Sequence, residues 1–344
     1  MHTNNQYTNH QLTPDGITVD LNLALSCDAS YDPDSLLGNR FLCRGSGGLL
    51  VAQSGLGKST FAFQMACHLA VGKEFFGINK THKDQPLKVV LVQSENDAKE
   101  IAEVIQSVTE NWTTDEVETL KHQLVVKNVW DKMGTEFGRW LRDLTTKCNP
   151  DLVIVDPLMG YLGGDVLSNE AITTFMREEI NNALKNPPQG CRQFGLIFVH
   201  HTGKPATPGR KDDKPTTVSR MYNMLGASEL VNWARFIMRL DPAMEQGRAI
   251  FTIPKRGDRS GVQFLAPEEE WGCYIQHAAP NPNSKKRVMR WESAGPSLVP
   301  PVVVPTSEPT VARKPKDAAR KAKVAVQPDQ VDGQSLLGTI VSAA

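Results

Sequence analysis

Residues 48–60 read Gly-Leu-Leu-Val-Ala-Gln-Ser-Gly-Leu-Gly-Lys-Ser-Thr and combine three features suited to holding a polyphosphate. Leu49 to Val51 is a short apolar run that predicts a strand. Ser54-Gly55-Leu56-Gly57-Lys58-Ser59-Thr60 is a glycine-containing loop, and the amphipathic stretch Phe61 to Val71 predicts a helix. A triphosphate carries dense charge, so its binder needs several backbone N–H groups converging on it. A helix N-terminus after a loop without bulky side chains presents such groups. Lys58 would reach the β- and γ-phosphates, and the Ser59 hydroxyl would hold Mg²⁺. The strict pattern opens on glycine, whereas this chain has Ala52. Alanine is the smallest residue with a Cβ, so the exchange costs little if position 52 avoids positive φ. The plain alternative is a glycine-rich turn with an incidental lysine, and the flanking strand and helix patterns weigh against it. The stretch predicts binding of a nucleoside triphosphate.

Other polar residues stand at the ends of apolar runs. Val153-Ile154-Val155-Asp156 ends in a carboxylate about a hundred residues after the lysine. With a phosphate loop present, such an aspartate completes a Mg²⁺ site; otherwise Asp156-Pro157 simply starts a turn. Ser94-Glu95-Asn96-Asp97 follows a second apolar run. Ser94 and Asp97 have the spacing of a capping box for the next helix. That leaves Glu95 at the carboxyl end of a strand, where a carboxylate can deprotonate the water that attacks the γ-phosphorus. His200-His201-Thr202-Gly203-Lys204 ends a further run. Neighbouring strand residues face opposite sides, so only one histidine can point at the nucleotide. A metal site is a poor alternative, because a third ligand at suitable spacing is missing.

These residues need a framework of alternating strands and helices. Apolar runs at Leu87 to Val92, Gln123 to Val126, Asp151 to Val155 and Gly195 to His200 alternate with helical patterns, including Asn169 to Leu184. That alternation predicts an α/β fold with a mostly parallel sheet. Arg248 to Ile253 and Gly261 to Leu265 read as antiparallel edge strands. Residues 1–35 form a polar arm, 36–294 the core, and 295–344 a Pro/Val- then Ala/Lys-rich tail that cannot bury a core. Lys+Arg and Asp+Glu both number 38, so nucleic-acid contact would need a local patch. Six widely spaced cysteines without a CxxC pair argue for reduced thiols and against a zinc knuckle. No apolar run approaches the roughly 20 residues of a membrane span, and the polar N-terminus lacks an apolar signal region. These features predict a cytoplasmic protein without membrane contact.

Taken in order, the phosphate loop, Glu95, Asp156, the histidine pair, Gly226 to Arg235 and Lys255-Arg256-Gly257 are similar to the RecA-like ATPases. The likeness is greatest to the plasmid replicative helicases of the RepA type, and it spans about residues 36–265. The resemblance implies a RecA-like phosphate-loop fold, ATP and Mg²⁺ as cofactors, and a role in DNA replication. It implies that Glu95 activates water, that Asp156 and Ser59 serve Mg²⁺, and that His201 senses the γ-phosphate. The family forms hexameric rings in which an arginine reaches a neighbour's nucleotide. By motif position that residue is Arg235, assisted by Lys255 or Arg256. Read without the resemblance, Arg235 is equally a salt-bridged arginine at a helix end. Leu225 departs from the pattern, since relatives often carry arginine there.

Two loops leave the predicted active edge. Pro157 to Ser168 contains three glycines. Gly203 to Asn223 carries five basic residues against two aspartates. Either can meet single-stranded DNA, with Tyr161 and Tyr222 as the available aromatics, although a basic loop is more often merely solvated. The leading expectation is an oligomeric, DNA-stimulated ATPase with helicase activity. The alternative is a regulatory or filament-forming ATPase that binds DNA or protein without unwinding.

Overall fold

The computed structural model describes residues 21–26, 32–79, 81, 85–202, 228–243, 245–265, 270–280 and 287–295. The basic stretch 203–223 with Tyr222, Leu225 and the tail from 296 onward lie outside the described residues. A short helix, α1 (Leu21–Ser26), precedes a small antiparallel ribbon of β1 (Ser35–Leu37) and β2 (Leu42–Cys43). The ribbon leads into β3 (Gly47–Ala52), whose six residues are all buried. Helix α2 (Lys58–Ala70) follows directly. Next come β4 (Val89–Gln93), α3 (Ala98–Val108), α4 (Thr114–Gln123), β5 (Leu124–Asn128), α5 (Gly134–Cys148) and β6 (Leu152–Asp156). The chain continues through α6 (Asn169–Thr173), a π-helical segment Thr174–Ile180, α7 (Asn181–Lys185), β7 (Gly195–His201) and α8 (Ser228–Trp233). It ends in β8 (Ile237–Pro242), β9 (Arg248–Lys255), β10 (Phe264–Leu265), β11 (Glu270–His277) and β12 (Trp291–Ala294).

The sheet order is β10-β11-β9-β8-β3-β7-β6-β4-β5, with β12 also pairing β11. The run from β8 to β5 is parallel, and β9, β10, β11 and β12 join antiparallel. This is the α/β architecture expected of a RecA-like ATPase. Its central strands are largely apolar because both faces are covered. Leu50 and Ala52 of β3 join the layer of α2, α3 and α4, whereas Leu49 and Val51 join the layer of α5 to α8. β4 and β6 divide in the same way, with Leu91 and Ile154 on the first side and Val92 and Val155 on the second. Gly48 lets α8 and β8 close on β3, since a Cβ there would lie 2.5 Å from the Phe236 ring.

Several local expectations change. β9 is not an edge strand but lies between β8 and β11. Only Phe264–Leu265 of the stretch 261–265 is a strand. β8 was not anticipated, and neither was the C-terminal pair β11 and β12. The 169–185 helix has a π-helical middle in place of an uninterrupted α-helix. Among the described residues no helix is long and apolar enough to cross a membrane.

Candidate nucleotide site

Between β3 and α2 the backbone turns through Gly55 (φ 79°) and Gly57 (φ 87°, ψ 26°), both left-handed. A Cβ at Gly55 would meet nothing within 4 Å among the described residues, so conformation rather than crowding favours glycine there. At Gly57 a Cβ would also come within 3.1 Å of the Trp291 ring. Ala52 continues the parallel ladder opposite His201 and Leu240 in extended backbone, where a Cβ is no burden. Among the described residues no side chain caps α2, so its leading amides from Lys58 onward have no side-chain cap there. Ser54 and Gly55 are exposed, and Leu56, Gly57, Ser59 and Thr60 are half-buried. Lys58 is buried, and this burial lowers its pKa against the opposing pull of Asp156 and Glu95. The arrangement suits a strongly anionic ligand.

Asp156 ends β6 directly opposite Gln93 of β4 and is only 2% exposed. Burial pushes its carboxyl up to about 6, while a hydrogen bond from Ser59 and the charge of Lys58 pull the other way. Its Oδ1 is buried without a hydrogen-bond partner among the described residues. An unsatisfied carboxylate oxygen beside a serine hydroxyl is a donor set that fits a hard divalent cation. Ser59 and Asp156 are therefore the residues that would hold Mg²⁺.

Glu95 is exposed at the carboxyl end of β4, in a loop organised by Gln93. The Gln93 side chain accepts the amides of Glu95 (3.1 Å) and Asn96 (2.7 Å) and donates to the Asn96 carbonyl (2.9 Å). The capping box is Asp97 with Glu100, not Ser94 with Asp97. Asp97 accepts from the Lys99 and Glu100 amides, and Glu100 accepts from the Asp97 amide. Ser94 instead acts on the Tyr161 phenol, lowering its pKa against the burial that pushes it up to about 12. His201 lies within the same electrostatic neighbourhood. Burial lowers its pKa first, Lys58 lowers it further, and Glu95 opposes them. His200 is fully buried on the other side of the strand. Lys58, Ser59, Glu95, Asp156 and His201 thus gather at one sheet edge. Tyr161 does not serve as an open stacking surface. It is fully buried, donates its hydroxyl to the Val129 carbonyl at 3.0 Å and stacks on Phe137 at 4.3 Å.

Arg235, Lys255 and Arg256 occupy the opposite edge. The Arg235 amide donates to the Gly47 carbonyl at the start of β3, and Lys255 pairs with Ile237 at the start of β8. Five residue steps separate Gly47 from Ala52, roughly 17 Å of strand. These three side chains and Lys58 are therefore not brought together within one chain. Lys255 Nζ donates to the carbonyls of Val231 (2.8 Å) and Ala234 (2.6 Å), closing the end of α8. Arg256 is in a left-handed conformation. Its pKa falls through burial first, then through the charges of Arg235 and Arg259. The Arg235 Nε is buried and makes no hydrogen bond among the described residues.

Two contributors escaped the sequence reading. Gln93 is a buried polar residue ending an apolar strand, a signal that was legible in Val-Val-Leu-Val-Gln. Trp291 braces the phosphate loop from 234 residues away. Its indole N–H points to the Gly57 carbonyl at 3.4 Å, its amide donates to Gln64 Oε1 at 2.7 Å, and Gln64 Nε2 donates to its carbonyl at 2.8 Å. The His277 ring stacks on it at 3.8 Å. No local pattern marks that contact.

No curated protein matches the chain. Among solved structures, the crystal structure of the RadB recombinase aligns with a TM-score of 0.44 at 15% identity, covering 69% of this chain and 89% of that one. A family model described as an AAA domain matches residues 22–207, a span that holds the phosphate loop, Glu95, Asp156 and the histidine pair. Since that span exceeds half of the sequence, the chain belongs to the AAA domain family.

Proposed function

We propose that this ATPase is an oligomeric motor acting on single-stranded DNA, a DNA helicase or DNA-stimulated ATPase resembling the RepA-type ring helicases. The observation that carries the proposal is the division of charge between the two sheet edges. Lys58, Glu95, Asp156 and His201 lie at the carboxyl edge, while Arg235 and Arg256 crowd together at the amino edge. A guanidinium there cannot reach its own chain's phosphates, whereas a neighbouring subunit's nucleotide would give it a bidentate anionic partner. In this reading the helix α2 amides and Lys58 hold the β- and γ-phosphates. Glu95 takes a proton from water as its oxygen bonds to the γ-phosphorus and the bond to the β-phosphate oxygen breaks. Mg²⁺ held by Ser59 and Asp156 would supply charge neutralisation on the phosphate oxygens. His201, beside Lys58 and ahead of the stretch 203–223, would report the γ-phosphate to a DNA-binding loop.

ATP hydrolysis with and without oligo-thymidine, alongside native mass spectrometry, tests the proposal. A DNA-stimulated rate that weakens as salt rises, in a multi-subunit species, is the expected result. A DNA-independent rate would favour the regulatory ATPase, and a monomer with full activity would remove the shared site.

A further inference from the structure

Strand β5 forms the outer edge of the sheet, and the groove beside it carries chemistry that the nucleotide site does not use. Lys127, Trp130, Lys132, Trp140, Leu144 and Lys147 line a space of 360 Å³. Trp130 is 76% exposed, while Trp140 stacks inward on Phe137 at 5.8 Å. Three lysines face the single carboxylate of Asp131, which pairs with Lys132 at 3.1 Å, so the groove has an excess of two positive charges. An open indole face flanked by ammonium groups suits a chain that alternates bases with phosphates. An acidic peptide would satisfy the lysines and leave the indole face unused.

The groove is also wired to the nucleotide site. The amide of Val129, next to Trp130, donates to the Gln93 carbonyl at 2.9 Å, and Asn128 Nδ2 donates to the Asn96 carbonyl at 3.2 Å. Gln93 and Asn96 are the residues that shape the Glu95 loop.

We propose that this groove binds single-stranded nucleic acid, stacking a base on Trp130 with phosphates on Lys127, Lys132 and Lys147, and that Asn128 passes its occupancy to the loop bearing Glu95. The assignment rests on the DNA reading above and uses residues outside the stretches 157–168 and 203–223. Because Trp130 is exposed, its substitution leaves the core intact, and an unchanged thermal midpoint verifies this.

The test measures fluorescence anisotropy of labelled oligo-thymidine with the full chain. Trp130→Ala should weaken binding about tenfold or more, and Trp130→Phe should recover most of the loss. Asn128→Ala should bind oligo-thymidine as the wild type does yet lose most of the stimulation of ATP hydrolysis. Wild-type affinity in Trp130→Ala overturns the groove assignment while leaving DNA binding elsewhere intact. Displacement of oligo-thymidine from this site by polyglutamate at equal charge concentration overturns it in favour of an acidic protein partner. Full stimulation in Asn128→Ala overturns the relay. A wild-type chain that binds no oligo-thymidine overturns both this assignment and the DNA reading beneath it.

Discussion

Burial between apolar layers raises the Asp156 carboxyl to about 6, against 3.8 for the ordinary group. The folded chain therefore holds this proton more tightly than the unfolded chain does. The group favours folding most below about pH 4, and that contribution is lost as pH rises towards 6. Keeping the carboxylate ionised at neutral pH costs the fold roughly 3 kcal/mol. Asp156→Asn removes the charge and keeps the shape. In metal-free buffer at pH 7.5 its thermal midpoint should lie a few degrees above that of the wild type, and the gap should close at pH 4. A lower midpoint in the variant at pH 7.5 would contradict this assignment of the buried charge. The same variant should lose the stabilisation that Mg²⁺ with nucleotide gives the wild type, because its amide is a poorer ligand for a hard cation.

At the scale of elements, α2 is held from both ends of the chain. β3 delivers its N-terminus, and β12 returns to clamp it through the reciprocal Gln64–Trp291 hydrogen bonds. Trp291→Ala should destabilise the fold by about 3–5 kcal/mol and raise the KM for ATP. Trp291→Phe should preserve more of both, as urea melts and steady-state kinetics would show; equal losses in the two variants would speak against an aromatic brace. β3, β4, β6 and β7 were legible in the sequence because burial on both faces makes them continuous apolar runs. β8 was hidden by Arg239, a nearly buried arginine that the strand tolerates because it pairs with Asp241 at 2.7 Å two residues on. The α3 cap lies three residues beyond the expected one, since Ser94 to Asp97 and Asp97 to Glu100 share the same spacing and the reciprocal Asp97–Glu100 contacts set the start of the helix. Tyr161 looked available in a glycine-rich loop, but its ring belongs to the core beside Phe137. Contacts such as Gln64 with Trp291 bridge 227 residues and leave no periodic trace.

For the whole molecule, the proposal requires two chains for one active site. Arg235→Ala subunits lack the reaching guanidinium and Glu95→Gln subunits lack the base, so each homogeneous preparation should be inactive. Mixing them should restore part of the ATPase activity by creating interfaces with both groups. No rescue at any ratio would count against a shared site. Beneath that assembly lies the more basic claim that the carboxyl edge of this sheet binds and hydrolyses Mg²⁺-ATP through the loop ending in Lys58. Steady-state phosphate release by the full chain, wild type against Lys58→Ala, tests it most directly. The account predicts turnover in the wild type and a loss to background in the variant; equal rates in the two proteins would contradict it.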